Sequence, residues 1–94
     1  MKTRRTDDGT MLIFCPGCEC GHGYDARWQF NGDFEHPTFT PSYVVRSGNA
    51  LGDTVCHSFV TDGKIQFLGD CTHALAGQTV DLPDFDLPVY LTSY

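Results

Sequence analysis

The stretch VCHSFVTDGKIQFL, Val55 to Leu68, decides the fold. Val55 to Thr61 alternates and is rich in β-branched and aromatic side chains, Asp62-Gly63 is a two-residue hairpin turn, and Lys64 to Leu68 is the return strand. Strand alternation sets Cys56, Ser58 and Val60 on one face and Val55, His57 and Phe59 on the other. Cys56 and His57 therefore serve opposite sides of one strand and cannot share a metal without a bulge.

Downstream of the hairpin, Gly69-Asp70 breaks the strand. Cys71 to Ala76 is long enough for one helical turn, with Asp70 as N-cap and Gly77 as terminator. Gln78 to Leu82 reads as a short strand, Pro83 to Asp86 as an acidic loop, and Leu87 to Tyr94 as an apolar edge strand. Upstream, Ser47 to Asp53 (SGNALGD) reads as a surface loop and Tyr43 to Arg46 as a strand. Pro37 and Pro41 argue against a central, fully paired strand, so His36 to Ser42 is expected to be an extended edge. Trp28 and Phe30 share one face of an alternating run that ends in an Asn31-Gly32 turn, and Met11 to Phe14 is a short strand running into Cys15. Residues 1–9 read as a flexible leader that carries Lys2, Arg4 and Arg5. The sum is a single mainly-β domain, residues 1–94, of six or seven short strands with one helical turn.

Composition narrows the function classes. A chain of 94 residues buries roughly 60–70% of its unfolded surface, a core that a structural metal would reinforce. Seven Phe and 13% aromatics describe a packed globule. A net charge of −6 speaks against nucleic acid. No apolar run approaches the ~18 residues of a membrane span, and no signal peptide is evident. Five cysteines, two pairs of them closely spaced, favour a reducing compartment and a metal over a disulfide scaffold. The expected location is the cytoplasm.

The metal-binding pattern begins at Cys15. The run CPGCECGH, Cys15 to His22, has the form of a zinc knuckle: the turn brings two thiolates onto one metal, and Gly17 tolerates the tight backbone. No second C-x-x-C follows, so the other ligands must come from scattered positions. The preferred set is Cys15, Cys18, His22 and Cys56, with Cys20 the main rival to His22. The competing reading makes Cys56 a small buried hydrophobe, as free cysteines often are.

Groups suited to acyl transfer lie elsewhere. Asp70-Cys71-Thr72-His73 gathers a carboxylate, a thiol and an imidazole, and on a helical turn Asp70 and His73 would share a face. Ordinary capping beside a surface histidine explains the same residues. Ser42 follows a proline in an extended segment that could present its hydroxyl rigidly. A Ser–His–Asp arrangement is recognised by geometry and not by chain order, so the sequence permits one without showing it.

Five ordered motifs carry a resemblance: CPGC-x3-H, W-x-F-N-G, H-P-T-F-T-P-S, C-H-S-F-V-x-D-G-K-I-x-F-L and D-C-T-H-A-L-A-G-Q-T-V. Together, over Phe14 to Pro83, they resemble a family of small zinc-binding phage and prophage proteins often mislabelled ammonia monooxygenases. The chain has no copper or di-iron constellation to support that label. Relatives stand in bacterial ubiquitin-like conjugation operons as serine-type peptidases acting on the ubiquitin-like partner. The resemblance implies weight for Ser42, His57, Asp70 and His73. Some relatives carry Ser in place of Cys71, which makes Cys71 a poor zinc ligand and an alternative nucleophile. The expectation is a zinc-stabilised peptidase with Ser42 as nucleophile, His73 as general base oriented by Asp70, and His57 as the competing base. The alternative is a non-catalytic zinc module that blocks a host protein through its acidic surface.

Overall fold

The computed structural model describes residues 1–49 and 52–84 of the protein. It is mainly β, with no helix among those residues. Strands β1 (Arg4–Arg5), β2 (Met11–Cys15) and β3 (Cys20–Tyr24) form one antiparallel sheet in that order. Strands β4 (Gln29–Phe30), β5 (Phe39–Asn49), β6 (Gly52–Thr61), β7 (Lys64–Phe67) and β8 (Thr79–Asp81) form a second, again in sequence order. The inward faces meet in one core: Met11, Ile13, Cys15 and Tyr24 from the small sheet, and Phe39, Cys56, Val60, Ile65 and Phe67 from the large one. A sheet can hide only one face at a time from water, so two sheets packed face to face are a stable solution for so short a chain.

The Val55–Leu68 hairpin forms as expected. Val60 faces Ile65 and Thr61 faces Lys64, leaving Asp62 and Gly63 as the two turn residues with φ of 51° and 76°. Both angles are left-handed, as a turn matched to strand twist requires. Gly63 is also wedged: a Cβ there would stand 3.2 Å from the His36 Cα. The strand partners on either side run longer than expected. β5 and β6 pair out to Asn49 and Gly52, so the segment expected to be a loop at Ser47–Asp53 is mostly strand.

Three expectations are corrected. Residues 1–9 are not a free leader, since Arg4 and Arg5 pair with β2, Thr3 is fully buried, and the Lys2 amide donates to the Phe34 carbonyl at 2.8 Å. With β3, also not expected, this brings the strands among the described residues to eight. The helical turn at Cys71–Ala76 does not form: the segment is tied to β6 at Thr72 and then closes through reverse-turn bonds, the Ala76 amide to the His73 carbonyl at 3.2 Å and the Gln78 amide to the Leu75 carbonyl at 3.0 Å. The Thr72 amide donates to the Val55 carbonyl at 2.9 Å, and the Val55 amide donates to Thr72 Oγ1 at 3.0 Å. Pro41, finally, lies within β5, a strand flanked by β4 and β6. A register shift accommodates it: five residues of β5, Phe39 to Tyr43, span the same ladder as three of β6, Val60 to Ser58. Pro41 falls in that bulge, where no ladder amide is required of it. The expected strand at Leu87–Tyr94 lies outside the described residues.

Candidate functional site

The bulge in β5 is what shapes the outer site. Tyr43 resumes the ladder opposite Ser58 and turns its ring inward, 5.0 Å from the His22 ring, 4.6 Å from Tyr24 and 5.1 Å from Trp28. Its neighbour Ser42 consequently faces outward, and the Trp28 indole N–H holds the Ser42 carbonyl at 3.4 Å. On β6, Cys56 and Ser58 are buried, so His57 between them also faces outward. Ser42 Oγ then lies 3.2 Å from His57 Nε2, and Asp70 Oδ2 lies 3.2 Å from His57 Nδ1.

That is a Ser–His–Asp relay. The Asp70 carboxylate accepts a proton-bearing Nδ1, which leaves the Nε2 lone pair to accept from the serine hydroxyl. The relay is accessible, with His57 25% exposed and Asp70 51%. Its chain order is Ser, His, Asp, unlike the three familiar orders of unrelated serine hydrolases.

His57 thus stands where His73 was expected. The His73 ring lies inside, edge-on to Phe67 at 4.5 Å and against the knuckle, where a Cβ on Gly17 would come within 2.3 Å of it. The Leu75 amide donates to His73 Nδ1 at 3.2 Å, so the proton of the neutral ring sits on Nε2, which is buried and has no hydrogen-bond partner. A ring in that state has no free lone pair to offer a nucleophile. Cys71 is likewise not placed as a nucleophile. It is buried, and its sulfur accepts from the His57 amide and donates to the His57 carbonyl, both at 3.2 Å. It clamps the backbone of the histidine. Sequence reasoning missed this role, because nothing in the spacing of residues 57 and 71 shows that their chains lie side by side.

On the inward side of the same strand sits the second constellation. Cys15, Cys18, His22 and Cys56 bring one ligand atom each to within 4.8 Å of one another. The knuckle is the β2–β3 hairpin loop: Cys15 faces Cys20 across the ladder, the Glu19 amide donates to the Cys15 carbonyl at 2.8 Å, and the Cys18 amide donates to Cys15 Sγ at 3.3 Å. Cys56 Sγ reaches Cys15 Sγ at 3.8 Å from the opposite sheet. Cys20, the rival ligand, is exposed and outside the cluster.

Two observations fit this cluster to a metal. His22 is 4% exposed, yet its Nε2 has no hydrogen-bond partner, an expensive arrangement for a buried nitrogen. The thiols also compete for charge. The hydrogen bond from Cys56 lowers the Cys15 thiol to about 3, while burial raises Cys18 to about 11 and the proton shared with Cys15 raises Cys56. Three sulfurs this close cannot all shed their protons unless a cation sits among them. A cluster of Cys56, Cys71 and His73 is also compact enough to hold an ion, but it shares Cys56 with the first.

A two-sheet β protein with an accessible Ser–His–Asp contact on one face of a strand and a buried Cys/His cluster on the other defines the class: a metal-compatible β domain with a protease-like grouping of side chains. The chain belongs to the family described as bacterial ubiquitination-like system serine protease (BubE), whose model matches residues 1–68. Ser42, His57 and all four clustered ligands fall inside the match, and Asp70 falls two residues beyond it. No curated protein and no solved structure matches the chain.

Proposed function

We propose that the protein is a serine-type peptidase, with zinc as a structural ion, that cleaves a protein substrate of the ubiquitin-like kind. The observation that carries this reading is the continuous contact from Ser42 Oγ through His57 to Asp70, 3.2 Å at each step. Ser42 Oγ attacks the scissile carbonyl carbon while its proton passes to His57 Nε2. Collapse breaks the C–N bond, and the same proton goes to the leaving amine. Water then attacks the acyl-enzyme, gives its proton to His57, and releases the carboxylic acid as Ser42 regains its hydrogen. The Asp70 carboxylate offsets the charge on the imidazolium.

Cys15, Cys18, His22 and Cys56 would hold the zinc. A Cys3His set fills a tetrahedral ion and leaves no open position, which is the mark of a structural site. The ion's contribution is a crosslink between the two sheets at Cys56, one residue from the general base. Charge and the family description together favour a protein partner over nucleic acid. Among the described residues no helix is long and apolar enough to cross a membrane, and we place the protein in the bacterial cytoplasm, where thiols stay reduced.

The test is incubation with a panel of ubiquitin-like precursors, alongside covalent labelling by an organophosphorus serine probe. Cleavage together with labelling that is lost in Ser42→Ala is the expected result. A protein that binds such partners but neither cleaves them nor labels would instead be a non-catalytic module.

A further inference from the structure

The outward face of the β5–β6 pair leaves large apolar side chains exposed at two places. Among the described residues the exposed large hydrophobics are Met1, Val44 and Phe59, and the last two both flank the relay. Val44 is 44% exposed and stands directly across the ladder from His57. Phe59 is 40% exposed, two residues from His57 on the same face, with its ring centroid 6.5 Å from the imidazole. Tyr43 and Ser58 face each other, Ser42 precedes the one and Phe59 follows the other, so both lie beside that pair at the edge of the bulge. Elsewhere on these strands the outward positions Arg46 and Thr61 are polar, and Val55, across the ladder from Arg46, is half-buried. A solvent-facing side of an antiparallel sheet is expected to read that way. Large apolar side chains left in water at a catalytic serine are best explained by what covers them during reaction.

Resting on the peptidase reading above, we propose that Val44 and Phe59 form a specificity subsite for a large apolar side chain adjoining the scissile bond of an extended substrate segment. Acidic side chains would be disfavoured there, since Asp70 and a net charge of −6 set the local field. The subsite holds the substrate and leaves the proton path to Ser42, His57 and Asp70.

The test uses the full chain and quenched peptides in which the residue on each side of the scissile bond is varied among Leu, Phe, Gly, Lys and Asp. Wild type should favour Leu or Phe by about tenfold or more in kcat/KM, the scale of one well-filled apolar contact. Phe59→Ser and Val44→Ser should lose that preference, chiefly through KM, while Ser42 still reacts with a small organophosphorus fluoridate and bound metal stays at the wild-type ratio. A wild type that labels but cleaves every peptide alike, or cleaves none, overturns the subsite alone. A preference that survives both substitutions overturns it as well. A wild type that neither labels nor cleaves removes the peptidase reading, and the subsite falls with it.

Discussion

At the scale of single residues, His57 and His73 show how burial and one hydrogen bond assign different roles to the same side chain. His57 keeps Nε2 free toward Ser42 because Asp70 engages Nδ1, whereas His73 spends Nδ1 on the Leu75 amide. His57→Ala should therefore abolish substrate turnover and probe labelling, and Asp70→Asn should lower kcat by roughly 10⁴ where the carboxylate fixes the tautomer. His73→Ala should keep Ser42 reactive and act through stability, read as a lower melting temperature. Finding the reverse ranking would make His73 the base after all. The sequence offered both histidines within reach of Asp70, and a helical turn would have chosen His73. It could not show that Val55 and Thr72 bond to each other, which sets the segment beside β6 and puts His57 next to Asp70.

At the scale of elements, β6 is the strand on which both constellations depend. Cys56 points to the ligand cluster, His57 to the relay, and Cys71 holds the backbone between them in register. Removing that sulfur leaves the His57 amide unpaired, a loss of about 1–3 kcal/mol. Cys71→Ala should thus lower both stability and kcat while leaving KM unchanged, and Cys71→Ser, which can still donate and accept, should restore much of both. Chemical denaturation with parallel kinetics would separate these effects. If Cys71 were the nucleophile, neither substitution would leave the probe on Ser42. The knuckle makes a similar demand at Gly17, where a Cβ would enter the His73 ring at 2.3–2.7 Å. Gly17→Ala should lower metal content and melting temperature together, because the loop cannot move without carrying Cys15 and Cys18.

At the scale of the whole molecule, the cluster joins the two sheets. Apparent zinc binding in small peptides is worth ~10–16 kcal/mol, comparable to the stability of an entire domain. Chelation should accordingly unfold the protein in one step with loss of activity, and circular dichroism and turnover should fall together. Activity that disappears while the fold persists would indicate a catalytic ion instead. The pH dependence has a definite sign. Burial raises Cys18 and the contact with Cys15 raises Cys56, so both hold their protons at neutral pH without metal, while the same contact lowers Cys15. Metal binding must displace those two protons, so affinity should rise with pH, with a log–log slope of about two near neutrality. The stabilisation is present at high pH and is lost as pH falls. Competition titration with a chromophoric chelator between mildly acidic and mildly basic pH would measure the slope.

The sequence by itself determined what is local. Alternation and the Asp62-Gly63 turn specified the β6–β7 hairpin, and Cys15-Pro16-Gly17-Cys18 specified a loop that brings two thiols together, because both depend on residues only a few positions apart. Opposite faces for Cys56 and His57 followed from the same period of two. Only the tertiary structure decided which histidine meets Ser42, why Pro41 can lie within a flanked strand, and why the first residues are tied to β2 rather than free. Each of those outcomes depends on hydrogen bonds between segments distant in the chain. Sequence spacing does not encode where distant backbones run side by side.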